Sequence, residues 1–455
     1  MWNWLLLRRS WGDNPMLRRA TLVILTFLLV PAFSARFLFS QVKGTIEGQT
    51  GRRYPIAISP LKNPGASDNK RGISESVADA IGNDLNLSGW FRVLGRSAYI
   101  EDPQQSGITL ETINFKNWST IGAESLVKGG YSVQGEDLTV ELRLFDVYQA
   151  KQLVGKKYTG KARDFRRMAH KFADEIINQF TGTPGPFNTR IAYVSKSGGA
   201  LKEVYISHLD GSEKSQVTNN RSINLSPAWS PDGRMLLYTS YKDGQRSLYL
   251  YDLAAGRETR IAERSGSSIG GKWSPDGQTI AVAFERAGNT DLYLVDRSGK
   301  TLRRLTEDKG IDVSPTWSPD GNRLAFVSNR SGSPQIYIMD VAGANVRRLT
   351  YSGSYNTSPD WSPKGDRIAY TGRVAGRFQV FTISVQGGDP QQLTSGSGDN
   401  EDPSWAPDGR FLAFASNRGG GRYRLYMMRD SGENQNTLTA SGSDDTNPSW
   451  SPRLE

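Results

Sequence analysis

The sequence predicts two domains, a small N-terminal α/β domain followed by an all-β six-bladed β-propeller. Three observations carry this. Six tryptophans, Trp229, Trp273, Trp317, Trp361, Trp405 and Trp450, recur at intervals of 44, 44, 44, 44 and 45 residues. The text around them repeats, as PAWSPDG from Pro227, PTWSPDG from Pro315 and PSWAPDG from Pro403. Residues 42–180 lack this period and show helix-type and strand-type apolar spacing instead. A period of about 40–45 residues built from four strand-like pieces describes one propeller blade. A chain of 455 residues exceeds one ordinary core and suits this division.

In chain order, residues 20–33 read ATLVILTFLLVPAF, preceded by Arg18 and Arg19 and running into Ala32-Phe33-Ser34. A basic flank, a short apolar run and a small-x-small site are the parts of a secretory signal peptide. The alternative is a membrane anchor. The run is shorter than the roughly 20 apolar residues a span needs, and Pro31 interrupts it. Residues 1–41 are therefore expected to be a signal peptide, cleaved between 34 and 41. The first 41 residues hold five arginines against Asp13, so they carry +4 of the formal +10. The excess of +6 over the remainder is a weak argument for nucleic acid.

Residues 42–180 are read as the N-terminal α/β domain, opening with a short tail. Residues 54–59 read as a strand. Ile73, Val77, Ile81 and Leu85 fall four apart, on one helical face. Residues 125–133 and 138–147 read as a hairpin around Gln134-Gly135-Glu136-Asp137, with a further strand over 153–159. Phe165, Met168, Phe172, Ile176 and Phe180 line a second helix. The Gly- and Pro-rich residues 181–190 end it and form the linker.

Residues 191–455 form the propeller. In each repeat one strand ends at the tryptophan and Ser-Pro-Asp-Gly supplies a type I turn. An apolar second strand follows, such as LLYTS from Leu236, then an alternating third, such as LYLYD from Leu248. A short polar fourth closes the repeat, such as RRLT from Arg303. The array opens at Ile191 on a second-strand piece and reaches a first-strand piece at Trp450, giving six copies of every strand type. The strand near Trp450 should therefore complete the blade begun at Ile191 and close the ring.

Catalytic chemistry is not visible. With no cysteine and two histidines, His170 and His208, apart in sequence, no metal site or thiol chemistry is expected, and no cofactor. Gly266-Ser267-Ser268-Ile269-Gly270 spells Gly-x-Ser-x-Gly, but it precedes a strand where a nucleophile elbow needs a helix. The basic stretch Lys151, Lys156, Lys157, Lys161, Arg163, Arg166, Arg167 and Lys171 has its phenylalanines on the apolar helical face, so it reads as solvated surface. The tryptophans are expected to wedge between blades. The variable parts are the loops before each first strand. Five residues before each tryptophan stand Asn224, Ser268, Asp312, Asn356, Asn400 and Asp445; three before stand Ser226, Gly270, Ser314, Ser358, Asp402 and Asn447. Both sets are expected to ring one mouth of the central channel. Their small polar side chains suit a peptide or protein loop better than an apolar ligand.

A signal peptide, a small α/β domain, Phe187-Asn188-Thr189-Arg190-Ile191-Ala192-Tyr193-Val194, the box at residues 226–233 and a closing PSWSP together resemble the TolB family, the periplasmic propellers of the Tol–Pal system. That resemblance implies a non-enzymatic scaffold in the periplasm. It would be peripheral to the envelope membranes, serve outer-membrane integrity and invagination at division, and bind no nucleic acid. It implies binding of the lipoprotein Pal at the propeller mouth. It also implies engagement of TolA by the mature N-terminal tail, which matches Val42, Lys43, Gly44, Thr45, Ile46 and Glu47. Gly44 departs from a strand-forming tail, since glycine weakens a strand. The competing readings are a periplasmic propeller enzyme, for which Asp312, Glu401, Asp402 and Asp445 are the acids at hand, and a glycan-binding lectin.

Overall fold

The computed structural model describes residues 52–63, 72–196, 199–261, 267–286, 288–440, 442 and 444–454. The expected signal peptide and the tail Val42–Glu47 lie outside these residues.

The N-terminal domain is a five-stranded sheet with helices on both faces. Its elements are β1 (Tyr54–Ile58), α1 (Ile73–Ser88), β2 (Phe91–Val93), α2 (Phe115–Thr120), β3 (Ser125–Gln134), β4 (Asp137–Asp146), β5 (Lys151–Lys161) and α3 (Phe165–Thr181). The sheet order is β2-β1-β3-β4-β5, with β1 parallel to both neighbours and the rest antiparallel. Alternation sorts the β3 side chains. Val127 faces the core built by Val77, Ile81 and Leu85 of α1 and by Phe172 and Ile176 of α3. Leu126 faces the opposite cluster with Trp118 of α2 and Phe145. The hairpin closes through Gly135 at φ 64°, a backbone position that glycine adopts without a Cβ clash.

The propeller is six four-stranded antiparallel sheets. The first blade begins with the strands Arg190–Lys196 and Lys202–His208, and its innermost strand is Asp445–Trp450. That strand pairs antiparallel to Arg190–Lys196, with Trp450 opposite Ile191, so the ring closes as the strand count predicts. Blades two to six span residues 224–260, 267–304, 312–348, 356–392 and 400–437. Each apolar cluster bridges adjacent blades. Trp273 packs with Ala228, Leu237 and Leu248 of the preceding blade, and Trp405 likewise with Ala369 and Val380 of the blade before it. The indole N–H of Trp317 donates to the Lys272 carbonyl at 3.0 Å, and that of Trp405 to the Asp360 carbonyl at 3.1 Å. The wedges are thus apolar, and those of Trp229, Trp317, Trp405 and Trp450 are hydrogen-bonded as well.

The described residues form one compact unit. The N-terminal domain sits against the Ser-Pro-Asp-Gly side of the ring. Trp90 meets Phe411 edge-on at 5.5 Å, and Arg410 lies over Trp90 while donating to the carbonyls of Thr183 and Pro184. The connection is pinned as well. The Asp174 carboxylate accepts the Phe187 and Asn188 N–H groups at 2.7 and 3.0 Å. Nearby, the two histidines of the chain stack across the junction, ring centroids 5.1 Å apart. The first strands run from the opposite side of the ring toward these turns, so the loops that precede them lie away from the N-terminal domain.

Candidate functional site: the axial channel mouth

Each first strand of the propeller is interrupted at one place. Ser226, Gly270, Ser314, Ser358, Asp402 and Asn447 all have φ between 49° and 59°, the left-handed region. The ladder to the second strand shifts register at each of them. An extra residue in one strand of a pair is a β-bulge; it bends the strand and re-aims a side chain. Five of the six are not glycine, and such a conformation costs on the order of 1 kcal/mol or more per residue. At two of the six a threonine hydroxyl of the preceding blade accepts the N–H of the bulged residue. Thr239 accepts the Gly270 N–H and Thr371 the Asp402 N–H, both at 3.0 Å. The bulges turn all six residues onto the axis, where they line a cavity of about 110 Å³.

The other expected ring is not there. Asn224, Ser268, Asp312, Asn356, Asn400 and Asp445 are buried. They stand two residues before the bulge, on the face of the strand that turns into the blade. The Nδ2 of Asn224 donates to Glu203, that of Asn356 to Gln335 and that of Asn400 to Gln379, at 2.8 to 2.9 Å. Thr218, Thr350 and Thr394, each two residues past the fourth strand, complete these triads. Arg330 forks onto both oxygens of Asp312 at 3.1 and 2.9 Å. Asn224, Asn356 and Asn400 thus stitch their loops to the blade before, while Asp312 is held by Arg330 of its own blade. The six buried residues present no surface at the mouth, and that part of the expectation is corrected.

The channel carries charge that the repeat pattern did not disclose. Lys272 reaches over two blades to donate to Asp360 at 3.2 Å. The second oxygen of Asp360 accepts the Trp405 N–H at 2.8 Å. Both residues stand immediately before a tryptophan, where the other blades carry Ala228, Thr316, Ser404 and Ser449. One lysine and one aspartate in that row were the available signal. Asp402 takes a hydrogen bond from Ser358 at 2.7 Å and from Asn447 at 2.6 Å, tying three blades together. Burial raises its carboxyl above the usual range, and those two donors oppose the rise.

The acids considered for catalysis do not converge. Asp312 is held by Arg330, Glu401 accepts the Tyr423 hydroxyl at 2.8 Å, and Asp402 is bridged as above. Ser268 is buried within the strand Ser267–Trp273, so no nucleophile elbow forms there. Among the described residues no cluster of three or more histidine, aspartate or glutamate side chains is placed to hold a metal ion. Among them, too, no helix is long and apolar enough to cross a membrane.

Two sequence families match the chain. The TolB beta propeller domain covers residues 177–454 and the TolB amino-terminal domain residues 45–153. The Tol-Pal system protein TolB of Desulfosudis oleivorans is 42% identical over 236 residues, which is 52% of this chain and 53% of that protein. Its counterpart in Syntrophotalea carbinolica is 44% identical over 193 residues, 42% of this chain and 43% of that protein. The chain thus spans about half the length of the curated relatives it matches. The crystal structure of TolB from Acinetobacter baumannii superposes with a TM-score of 0.77 at 30% identity, covering 88% of this chain and 97% of that one. With both domains matched in order and the whole architecture shared, the chain belongs to the TolB family.

Proposed function

We propose that this chain is a non-enzymatic periplasmic scaffold of the Tol–Pal system. It binds the lipoprotein Pal across the channel mouth and engages TolA through the tail Val42–Glu47, in the service of outer-membrane integrity and division. One observation carries the Pal reading. Six left-handed residues, five of them with short polar side chains, surround an axis that opens away from the N-terminal domain. A ring of hydroxyl, amide and carboxylate groups suits an inserted loop with amide and basic groups, and the opposite face of the ring is already occupied.

The test is titration calorimetry with the soluble part of Pal. Ser314 is the position to change, because its backbone is already left-handed with a side chain in place. Replacing Gly270 would instead add the strain of a new Cβ at φ 59°. Ser314→Arg fills the channel mouth and is expected to weaken Pal binding at least tenfold, about 1.4 kcal/mol. Affinity equal to the parent would move the Pal site off the channel.

A further inference from the structure

The loops of the mouth face are polar around most of the ring, but not on blades four and five. Ile311 precedes blade four and is 49% exposed; Tyr351 and Tyr355 precede blade five at 74% and 38%. Val374 follows at 42%, at the tip of the second hairpin of blade five. That hairpin, Arg367–Val374 with Arg377–Ser384, has eight residues per strand where its blade-four neighbour has six, so it stands above the rim. Single exposed apolar residues are ordinary on any surface. Here four lie on one face of two adjacent blades, whereas elsewhere on the described mouth loops the large exposed apolar residue is Leu201.

Arginines accompany them. The Tyr355 ring meets Phe378 edge-on at 5.7 Å, with the Arg373 guanidinium 5.9 Å from the Phe378 ring. Arg348 lies 4.9 Å from the Tyr351 ring and donates its Nε to the Thr350 carbonyl. Among the described residues neither Arg348 nor Arg373 has a carboxylate within ion-pair distance, while Arg377 has Asp399 only at 3.8 Å. Tyrosine and arginine are the residue types that anchor protein interfaces. Exposed rings beside unneutralised guanidinium groups fit an acidic segment with apolar side chains.

We infer that the arc Ile311, Tyr351, Tyr355, Arg373 and Val374 is a second, off-axis anchor for the partner that enters the channel, and that it receives an acidic, apolar segment of that partner. The inference rests on the reading of the mouth as the Pal site and adds a requirement to it: the partner is held eccentrically, toward blades four and five. Its basic or amide loop meets the channel, and its acidic flank meets the arc.

The experiment measures binding of soluble Pal to the full mature protein by calorimetry and stopped-flow mixing, at about 50 and 300 mM salt. Tyr351→Ser and Tyr355→Ser are expected to weaken binding at least fivefold each. Arg373→Glu is expected to slow association and flatten its salt dependence, because steering by unlike charge is screened as salt rises. Leu302→Ser, on an outer fourth strand, is the control and should bind as the parent does. Tyr351 touches little of the body, so its variant separates binding from folding. Parent-like affinity and salt dependence for all three arc variants, with Ser314→Arg still impaired, would overturn the off-axis anchor and leave the channel reading intact. Failure of the unchanged protein to bind Pal would remove the channel reading, and the anchor with it.

Discussion

His170 of α3 and His208 of the first blade belong to different domains, yet their environments drive their imidazoles apart. Burial alone would pull His170 down. Asp84, in hydrogen-bond contact at 2.7 Å with Asp210 and Asp174 behind it, outweighs burial and holds the ring above its ordinary value. Burial holds His208 below that value, reinforced by charge on His170 and Arg190, while Glu213 at 3.1 Å opposes. Arg166, paired with Asp210 at 2.8 Å, completes the charged surroundings. A histidine with a depressed folded value stays neutral where the unfolded chain is already protonated. Its contribution to stability is therefore lost as pH falls below about 6.5. A histidine with a raised value contributes fully below about 6.5 and loses that contribution as pH climbs through its folded value. In thermal melts, His208→Gln should thus gain on the parent as pH is lowered from 7.5 to 5.5. His170→Gln should show its larger deficit at the acid end and a smaller one near pH 9. Identical pH dependence in both variants would mean that the stack does not titrate as a pair.

At the scale of elements, the strand Asp445–Trp450 has the largest consequence for its length. It supplies the inner ladder of the first blade, and the Trp450 indole donates to Thr189 at 2.8 Å. Trp450→Ala is expected to cost about 3–5 kcal/mol, the range for a buried large aromatic, and to lower the melting temperature on the order of 10 °C. Deleting residues 445–455 should cost more; an unchanged melt would contradict the closure. This strand was legible beforehand because counting strand types needs only the repeat. The long helices were legible for a similar reason, since their apolar spacing persists over four turns. The segments α2 and β2 were not, being six and three residues long and held by tertiary contacts. Trp118 of α2, for example, donates to Glu101, which also pairs with the buried Lys128. The mouth was half legible. The two polar rings look alike as letters, and only the bulge separates a channel-lining residue from a buried one. That bulge places serine and aspartate where backbone preference alone would ask for glycine or asparagine.

For the whole molecule, the junction joins two domains into a single apolar cluster. Trp90, Phe91 and Ile177 of the first domain and Phe411, Met427 and Trp450 of the ring share one core. Unfolding should therefore be one calorimetric transition, and the pair Trp90→Ala and Arg410→Ala should split it into two. Two transitions in the parent would mean that the shared core does not couple the domains. The way the ring closes also bears on when it can close. The register joins residues about 250 positions apart, so closing the ring from an unstructured chain carries a loop-entropy cost on the order of 5 kcal/mol. A ribosome delivers Arg190 long before Asp445. Until residue 450 has emerged, the first blade lacks its inner strand and the sixth faces an unfilled gap. The nascent propeller is thus held open by its own topology until that strand arrives. A chain that must be threaded unfolded through a secretion channel would draw from this arrangement a built-in delay against folding on the wrong side of the membrane.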